Sequence, residues 1–536
     1  MKFIRARLRT QHRATQRDSD GTASVSPSPP ILGLAATLAG AGFLLARLVG
    51  DVEEKPLFED EAVSGLISAR PFGEVIVTTL WDRGGAPLHF VLAHIAFLVD
   101  TSPETLRALS VVFAVAALPL CFDLARRLGG PVAGGAAALV AAGSGMLAVY
   151  GSFGRMYALF AFAGALAGDL FVRALQRPTA GTAAAAAAGA WLLPAVHPYG
   201  GIVVALEVLV VLALWRGRPI RPALPAAAIA IAMIPFAVAD VRLATRFEVG
   251  SEEGGRLATP GEAWEQIEAA VRGFAGGEGL ILAVFLGLAL AGAIILARRE
   301  PAFVAFAALA LVTPPLLALL VRTENAPDLS PRHLIYALPF WAAFIGVAVA
   351  RLPAKPIALA GVGLLAAFGT QGINDPRDIT YIAPLGTKQH LAAPADWLRD
   401  EIEEDDVLYP YSSVFLAALP EAGKAFGLPR AQPQSLIEAA ERVDFPTRAI
   451  FVAVPTGTAR INGPVPGEDF GSWLLVEVEG PFPDAAALLR AASGVLAEVR
   501  PSLTNVPELL ADWFELNREV LCDALSRLGS ECETTV

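Results

Sequence analysis

Long unbroken apolar runs govern what this chain can fold into. Residues 31–50, 223–239, 280–297, 301–321 and 334–350 each approach the length needed for a membrane helix. About 20 residues carry an α-helix across about 30 Å of hydrocarbon. Lipid offers a backbone no hydrogen bonds, so runs of this kind cross it as helices. The composition agrees, with 54% of residues hydrophobic, 17% charged and a mean hydropathy of +0.54, where soluble domains are about a quarter charged. Many runs are rich in Ala, Leu, Val and Gly, as in helices packed closely in a bundle. A very apolar soluble helical protein is the disfavoured alternative.

Basic clusters give the runs a direction. The first seventeen residues hold Lys2, Arg5, Arg7, Arg9, Arg13 and Arg17 and no acid. No small-residue cleavage site follows 31–50, so that run reads as a retained first span behind a cytoplasmic, basic and partly disordered amino terminus, residues 1–30. Spans are expected at 31–50, 106–124, 132–149, 156–174, 182–196, 201–215, 223–240, 278–297, 302–321, 334–350 and 356–371. Arg126-Arg127, Arg173 to Arg177, Arg216 to Arg221, Arg298-Arg299 and Arg351 to Lys355 then all face the cytoplasm. The run 87–99 is apolar but short. Counting it as a span would put Arg126 outside, so it is expected as a helix embedded in a large first outer loop, 51–103.

The tail differs from the body. From Lys388 to Val536 there are 11 Lys and Arg against 24 Asp and Glu, a net −13 in a chain whose total is −11. Such a balance argues against nucleic-acid binding. Runs at 406–411, 448–454 and 472–479 read as strands, and 394–401, 484–499 and 505–528 as helices. The expected fold is therefore an all-α polytopic membrane protein of about eleven transmembrane helices, 31–375, with a C-terminal extracytoplasmic α/β domain, 376–536. That domain has no Gly-rich phosphate loop or metal-spaced cluster and reads as a recognition or packing unit. Cys121 lies in an apolar run. Cys522 and Cys532 could pair outside the cytoplasm, but two free thiols are the expected state.

Polar residues gather at one face of this topology. Glu59, Asp60 and Glu61 directly follow the first span, either as a solvated acidic turn or as a site. Asp82 and Arg83 could pair at the interface, and His89 and His94 could be helix-end or core histidines. Arg155 and Tyr157 open a span at the same face, where an Arg either snorkels or binds phosphate. His197, Tyr199, Arg332 and His333 occupy the mouths of other spans.

These residues carry a resemblance. FEDEA (58–62), APLHFVLAHIAFLV (86–99), LRALSVVFAVAALPLCFDLARRLGG (106–130), GRMYAL (154–159) and HPYG (197–200) follow the order seen in polyprenyl-phosphate-sugar-dependent glycosyltransferases of the GT-C fold. The similarity is to the protein O-mannosyltransferase and aminoarabinose-transferase-like branch. It covers roughly residues 31–201, is weak around 331–339 and hardly reaches the tail. The chain departs from the pattern at Gly85-Ala86-Pro87, at His89 where a Tyr is usual, and at Gly154 where an acidic residue is common.

The resemblance implies an inverting membrane glycosyltransferase that uses a polyprenyl-phosphate-linked sugar in the outer leaflet of the plasma membrane. Its acceptor would be a protein, glycan or lipid. By the same resemblance Asp60 or Glu61 is the base, while Arg83, Arg155 and Arg332 attend the leaving phosphate. His89, Tyr157, His197, Tyr199 and His333 complete the expected substrate site. A divalent metal on the acidic trio is compatible with the sequence. The rivals are a transporter or flippase of a lipid-linked saccharide, and a non-catalytic cell-envelope scaffold. A transporter would need polar residues near the bilayer midplane, and the nearest in the expected spans are Asp123, Asp169 and Glu207.

Overall fold

Proline and glycine set the helix ends of the amino-terminal half. The computed structural model describes residues 30–54, 59–82, 86–177, 179–205, 234, 238, 259–320, 329–371, 392–403, 405–410, 426–427, 433–456, 459–471 and 473–532. Helix α1 (Pro30–Glu54) is followed by three short helices, α2 (Glu59–Ser68), α3 (Phe72–Asp82) and α4 (Leu88–Phe97). Helix α5 (Pro103–Gly129) starts at Ser102, whose hydroxyl accepts the Thr105 N–H at 3.4 Å, with Pro103 in the first turn. It stops at Gly130, whose φ of +89° suits glycine, and Pro131 at once begins α6 (Pro131–Ala142). Then come α7 (Gly145–Tyr150), α8 (Tyr157–Gln176), α9 (Ala180–Val196), α10 (Pro260–Ala275), α11 (Gly279–Ala297) and α12 (Pro301–Leu320). A 3₁₀ segment, Pro331–Ala337, leads into α13 (Leu338–Val349), and α14 (Lys355–Gln371) closes the helical part.

Among the described residues, α1, α5, α8, α11, α12 and the stretch Pro331–Val349 are long and apolar enough to cross a membrane, and α4, α6, α9 and α14 are shorter apolar helices. The chain is a multi-pass membrane protein. Its helices share one apolar core, in which α5 and α6 pack on each other and on α1 and α13. Helix α4, at 10 residues, is only about 15 Å long, half of what a span requires. The expected spans 201–215 and 223–240 fall mainly outside the described residues.

Two expected spans are interrupted. The run 132–149 breaks at Gly143-Ser144: the Ser144 hydroxyl caps α7 by accepting the Met146 N–H and donates to the Gly273 carbonyl at 3.1 Å. A Cβ on Gly143 would lie 2.4 Å from Ala366, so close packing holds the break. The run 334–350 begins as the tighter 3₁₀ coil. There Gly164 of α8 touches the segment so closely that a Cβ would lie 2.3 Å from the Tyr336 carbonyl oxygen.

The ends of α5 and α8 remote from α2 carry an ion-pair cluster. Asp169, fully buried, meets Arg127 at 2.8 Å and Arg173 at 2.6 Å, and Asp123 meets Arg127 and Arg173 at 2.7 Å and also Arg126. Every charge there has an opposite partner, as burial near lipid demands.

The tail contains α15 (Ala392–Glu401), β1 (Val407–Tyr409), β2 (Phe426–Gly427), α16 (Pro433–Ala440), β3 (Thr447–Pro455), β4 (Arg460–Ile461), β5 (Glu468–Asp469), β6 (Trp473–Phe482), α17 (Ala485–Ser502), β7 (Leu503–Thr504) and α18 (Glu508–Arg527). Five strands form one sheet in the order β2-β1-β3-β6-β5; β1 is parallel to β2 and β3, and β6 is antiparallel to β3 and β5. Alternate residues of β3 face opposite layers. Ile450, Val452 and Val454 pack under α16, α17 and α18, and Ala449, Phe451 and Ala453 join Leu398 of α15. Covering on both faces explains why β3 reads as a continuous apolar run. Leu66 of α2 packs against this second layer. Cys522 and Cys532 form a disulfide, correcting the expectation of two free thiols. The chain turns back after α18 and brings their Cα atoms to 5.1 Å, inside the range a disulfide bridges.

Candidate active site

Helix α2 opens with Glu59, Asp60 and Glu61, acids that favour a helix amino terminus. The segment 151–156 between α7 and α8 bends back towards it. Ser110 anchors that bend by donating to the Phe153 carbonyl at 2.6 Å. Arg155 then reaches α2: its Nη1 donates to the Asp60 carbonyl and to the Ser64 hydroxyl, each at 3.2 Å. Its Nη2 lies 3.9 Å from the Asp60 carboxylate, whose side chain stays 45% exposed.

Arg332 approaches from the 3₁₀ segment. Its guanidinium sits 5.6 Å from the Tyr157 ring centre and hydrogen-bonds Tyr150, and the Arg155 charge also acts on Tyr157. Behind them stand His197 and Tyr199, just past α9, and His333. The His197 and His333 rings are 4.9 Å apart, and Tyr199 stacks on both at 5.5 and 5.2 Å. Tyr157 lies 6.3 and 6.1 Å from the two histidines. Burial, then the charges of Arg155 and Arg332, push His197 down to about 3. Of the expected site residues, Asp60, Arg155, Tyr157, His197, Tyr199, Arg332 and His333 thus come together.

Glu61 does not join them. Arg107 of α5 grips it bidentately, Nε to Oε1 at 3.0 Å and Nη2 to Oε2 at 2.9 Å, and the Gly154 N–H donates to Oε1 at 2.6 Å. Arg107 also donates to the Val52 carbonyl at 3.0 Å. Both Glu61 oxygens are engaged, and 1% of its surface is exposed. Of the two acids that the resemblance offers as base, Glu61 is thus the paired and buried one and Asp60 the one solvent reaches. Gly154 is explained by the same contact: a Cβ there would lie 3.0 Å from Glu61 Oε1 and 3.1 Å from Leu106, leaving no room for an acidic side chain.

His89 lies under the Arg155 bend, 2% exposed and hydrogen-bonded to the Gly154 backbone. Burial and the Arg155 charge push it down to about 3. It supports the bend rather than lining the open side. His94 turns to the Ser68 carbonyl at 2.9 Å. Arg83 lies outside the described residues. Among the described residues no group of three His, Cys, Asp or Glu could hold a metal ion.

Sequence reasoning missed Arg107, Ser64 and Tyr150. Arg107 left a signal: a lone cation one turn into an otherwise apolar run calls for a buried partner.

No family model matches the chain, and no curated protein matches it in sequence. Solved structures do match. ArnT from Cupriavidus metallidurans, crystallised with undecaprenyl phosphate, aligns with a TM-score of 0.57 at 13% identity, over 83% of this chain and 97% of ArnT. Its apo form aligns at 0.56. The archaeal oligosaccharyltransferase AglB from Archaeoglobus fulgidus, in complex with an inhibitory peptide and a dolichol-phosphate, aligns at 0.47 and 13% identity, over 79% of this chain and 69% of AglB. The likeness to ArnT gives this chain its fold, a GT-C helical membrane module followed by an α/β unit.

Proposed function

We propose that this chain is a membrane glycosyltransferase that moves a sugar from a polyprenyl-phosphate donor to an extracytoplasmic acceptor by inverting displacement. One observation carries the reading: a solvent-reached carboxylate, Asp60, lies 3.9 Å from the Arg155 guanidinium, and Arg332 shares the same aromatic pair. Displacement at an anomeric carbon needs a base on the attacking side and a cation on the leaving side. Asp60 takes the proton of the acceptor hydroxyl as its oxygen bonds to the carbon, a role worth ~10²–10⁴ in rate. The bond to the phosphate oxygen breaks, and Arg155 and Arg332 stabilise the charge it carries away. ArnT, which shares the fold, was crystallised with undecaprenyl phosphate; a lipid phosphate is the anion we assign to the two guanidiniums.

The site end is assigned to the outer face and the Arg126, Arg127 and Arg173 end to the cytoplasm. The distribution of basic residues supports this, and so does a disulfide in the tail, since such bonds persist outside the cytoplasm. A transporter or flippase is less well supported, because Asp123 and Asp169 are both consumed in ion pairs.

The test is transfer of labelled sugar from polyprenyl-phosphate donors in membranes carrying Asp60→Asn. Transfer should fall by ~10²–10⁴ while donor binding stays unchanged. Wild-type transfer by Asp60→Asn would overturn the mechanism.

A further inference from the structure

The backbone fixes the tautomer of two imidazoles beside the guanidiniums. The Tyr199 N–H donates to His197 Nδ1 at 3.3 Å, and the Ser330 N–H donates to His333 Nδ1 at 3.0 Å. A backbone N–H can only donate, so each Nδ1 supplies the single lone pair of a neutral ring, and the ring proton sits on Nε2. A doubly protonated ring would set two N–H groups against each other. Both residues are closely enclosed, at 6% and 8% exposure. The two rings, 4.9 Å apart between centres, lie within the field of Arg155 and Arg332, where an anion is the ligand that suits a pair of N–H donors.

We propose that His197 and His333 are neutral Nε2–H donors to the phosphate oxygens of the lipid-linked donor, and act neither as bases nor as metal ligands. This rests on the reading of Arg155 and Arg332 as the phosphate site. A base or a metal would need the lone pair, which the backbone N–H already occupies on each ring. Neutral donors also have an advantage over further cations. Two guanidiniums already match the charge of a phosphate monoester, and more positive charge would bind the departing lipid phosphate too tightly to release. A neutral N–H adds direction without charge.

The test separates the two nitrogens. A Gln side chain brings an amide N–H to the place of Nε2, while Asn puts its amide oxygen near Nδ1 and leaves Nε2 unreplaced. Binding of farnesyl monophosphate and of inorganic phosphate to the purified full chain is measured for His197→Gln, His197→Asn, His333→Gln and His333→Asn. The Gln variants should stay within about threefold of wild type for both probes, and the Asn variants should weaken about tenfold or more. The reverse order, Asn silent and Gln weakened, would mean that the rings serve only the local backbone. Equal behaviour of all four would overturn the proposal as well. Arg332→Gln tests the underlying reading: unchanged phosphate binding there sinks the phosphate site itself, whatever the histidine order. In the unaltered protein, nitrogen NMR of labelled histidine should contain two neutral Nε2–H rings at pH 7 that shift on adding farnesyl monophosphate. Their absence would also overturn it, without any variant having to fold.

Discussion

Asp60 and Glu61 are neighbours with different fates, and the cause is one distant cation. Arg107 takes both Glu61 oxygens in a buried fork, which sets α2 against α5. The Gly154 N–H on the same carboxylate sets the Arg155 bend against α2. One buried carboxylate thus positions both the proposed base and a proposed phosphate cation. Removing one partner of a buried pair leaves the other uncompensated, so Arg107→Gln should cost about 3–5 kcal/mol of stability. Thermal and denaturant unfolding of the detergent-solubilised chain checks this, and unchanged stability would contradict it. The histidines add a pH dependence. His89 and His197 are held near 3 in the fold against about 6.5 in the unfolded chain. Between those values the unfolded state binds more protons, so their contribution is complete above about pH 6.5 and is lost as pH falls towards 3. The unfolding midpoint should therefore drop from pH 7 to pH 5, and less so in His89→Gln.

Helix packing at glycines is what brings Arg332 and His333 to the site. Gly164 lets the 3₁₀ segment lie against α8, where a Cβ would stand 2.3 Å from the Tyr336 carbonyl oxygen. Gly164→Val must push that segment outward. A misplacement of about 1 Å can cost about 10²-fold in rate, so donor KM should rise and kcat should fall. Gly292→Val is the control. Its Cβ would meet the Phe344 carbonyl at 1.8 Å, but that contact joins α11 to the middle of α13, away from the site. It should lower stability while the folded fraction keeps its kinetics. Identical kinetic losses in both variants would remove the link between Gly164 and the site.

Charge distinguishes the two ends of the helical module. The basic residues cluster with Asp123 and Asp169 at one end of α5 and α8, and Asp60 and Arg155 stand at the other. From Tyr157 to Arg173 along α8 is about 24 Å. Cysteines introduced at Arg126 and Arg299 should react with an impermeant reagent only after permeabilisation, and those at Asp396 and Arg460 from outside. Background is low, because Cys121 is buried and the other two cysteines are paired. Reaction of the Arg126 position from outside would invert the topology. The disulfide closes a short loop, so Cys522→Ser should cost about 2–4 kcal/mol, read from the unfolding of the full chain with and without reductant.

Much of this architecture was legible in the residue order. Membrane helices depend on local apolarity and length, so α1, α8, α11 and α12 could be placed by reading along the chain, as could β3, β6, α17 and α18 of the tail. The first-loop acids, Arg155 and the His-Pro-Tyr mouth were also legible as polar groups at helix ends. Four things were not: which acid solvent reaches, why position 154 is a glycine, where a span breaks, and whether the tail cysteines pair. The first three depend on atoms far apart in sequence, and the fourth on how the chain turns back after α18. Arg107 is 46 residues from Glu61, Gly154 is 93 residues from it, and Ser144 is 129 residues from the Gly273 carbonyl that holds the break. Apolar burial is non-directional and can be summed along a run. A hydrogen bond or ion pair is directional and short-ranged, so only the folded arrangement could decide which partner each polar group meets.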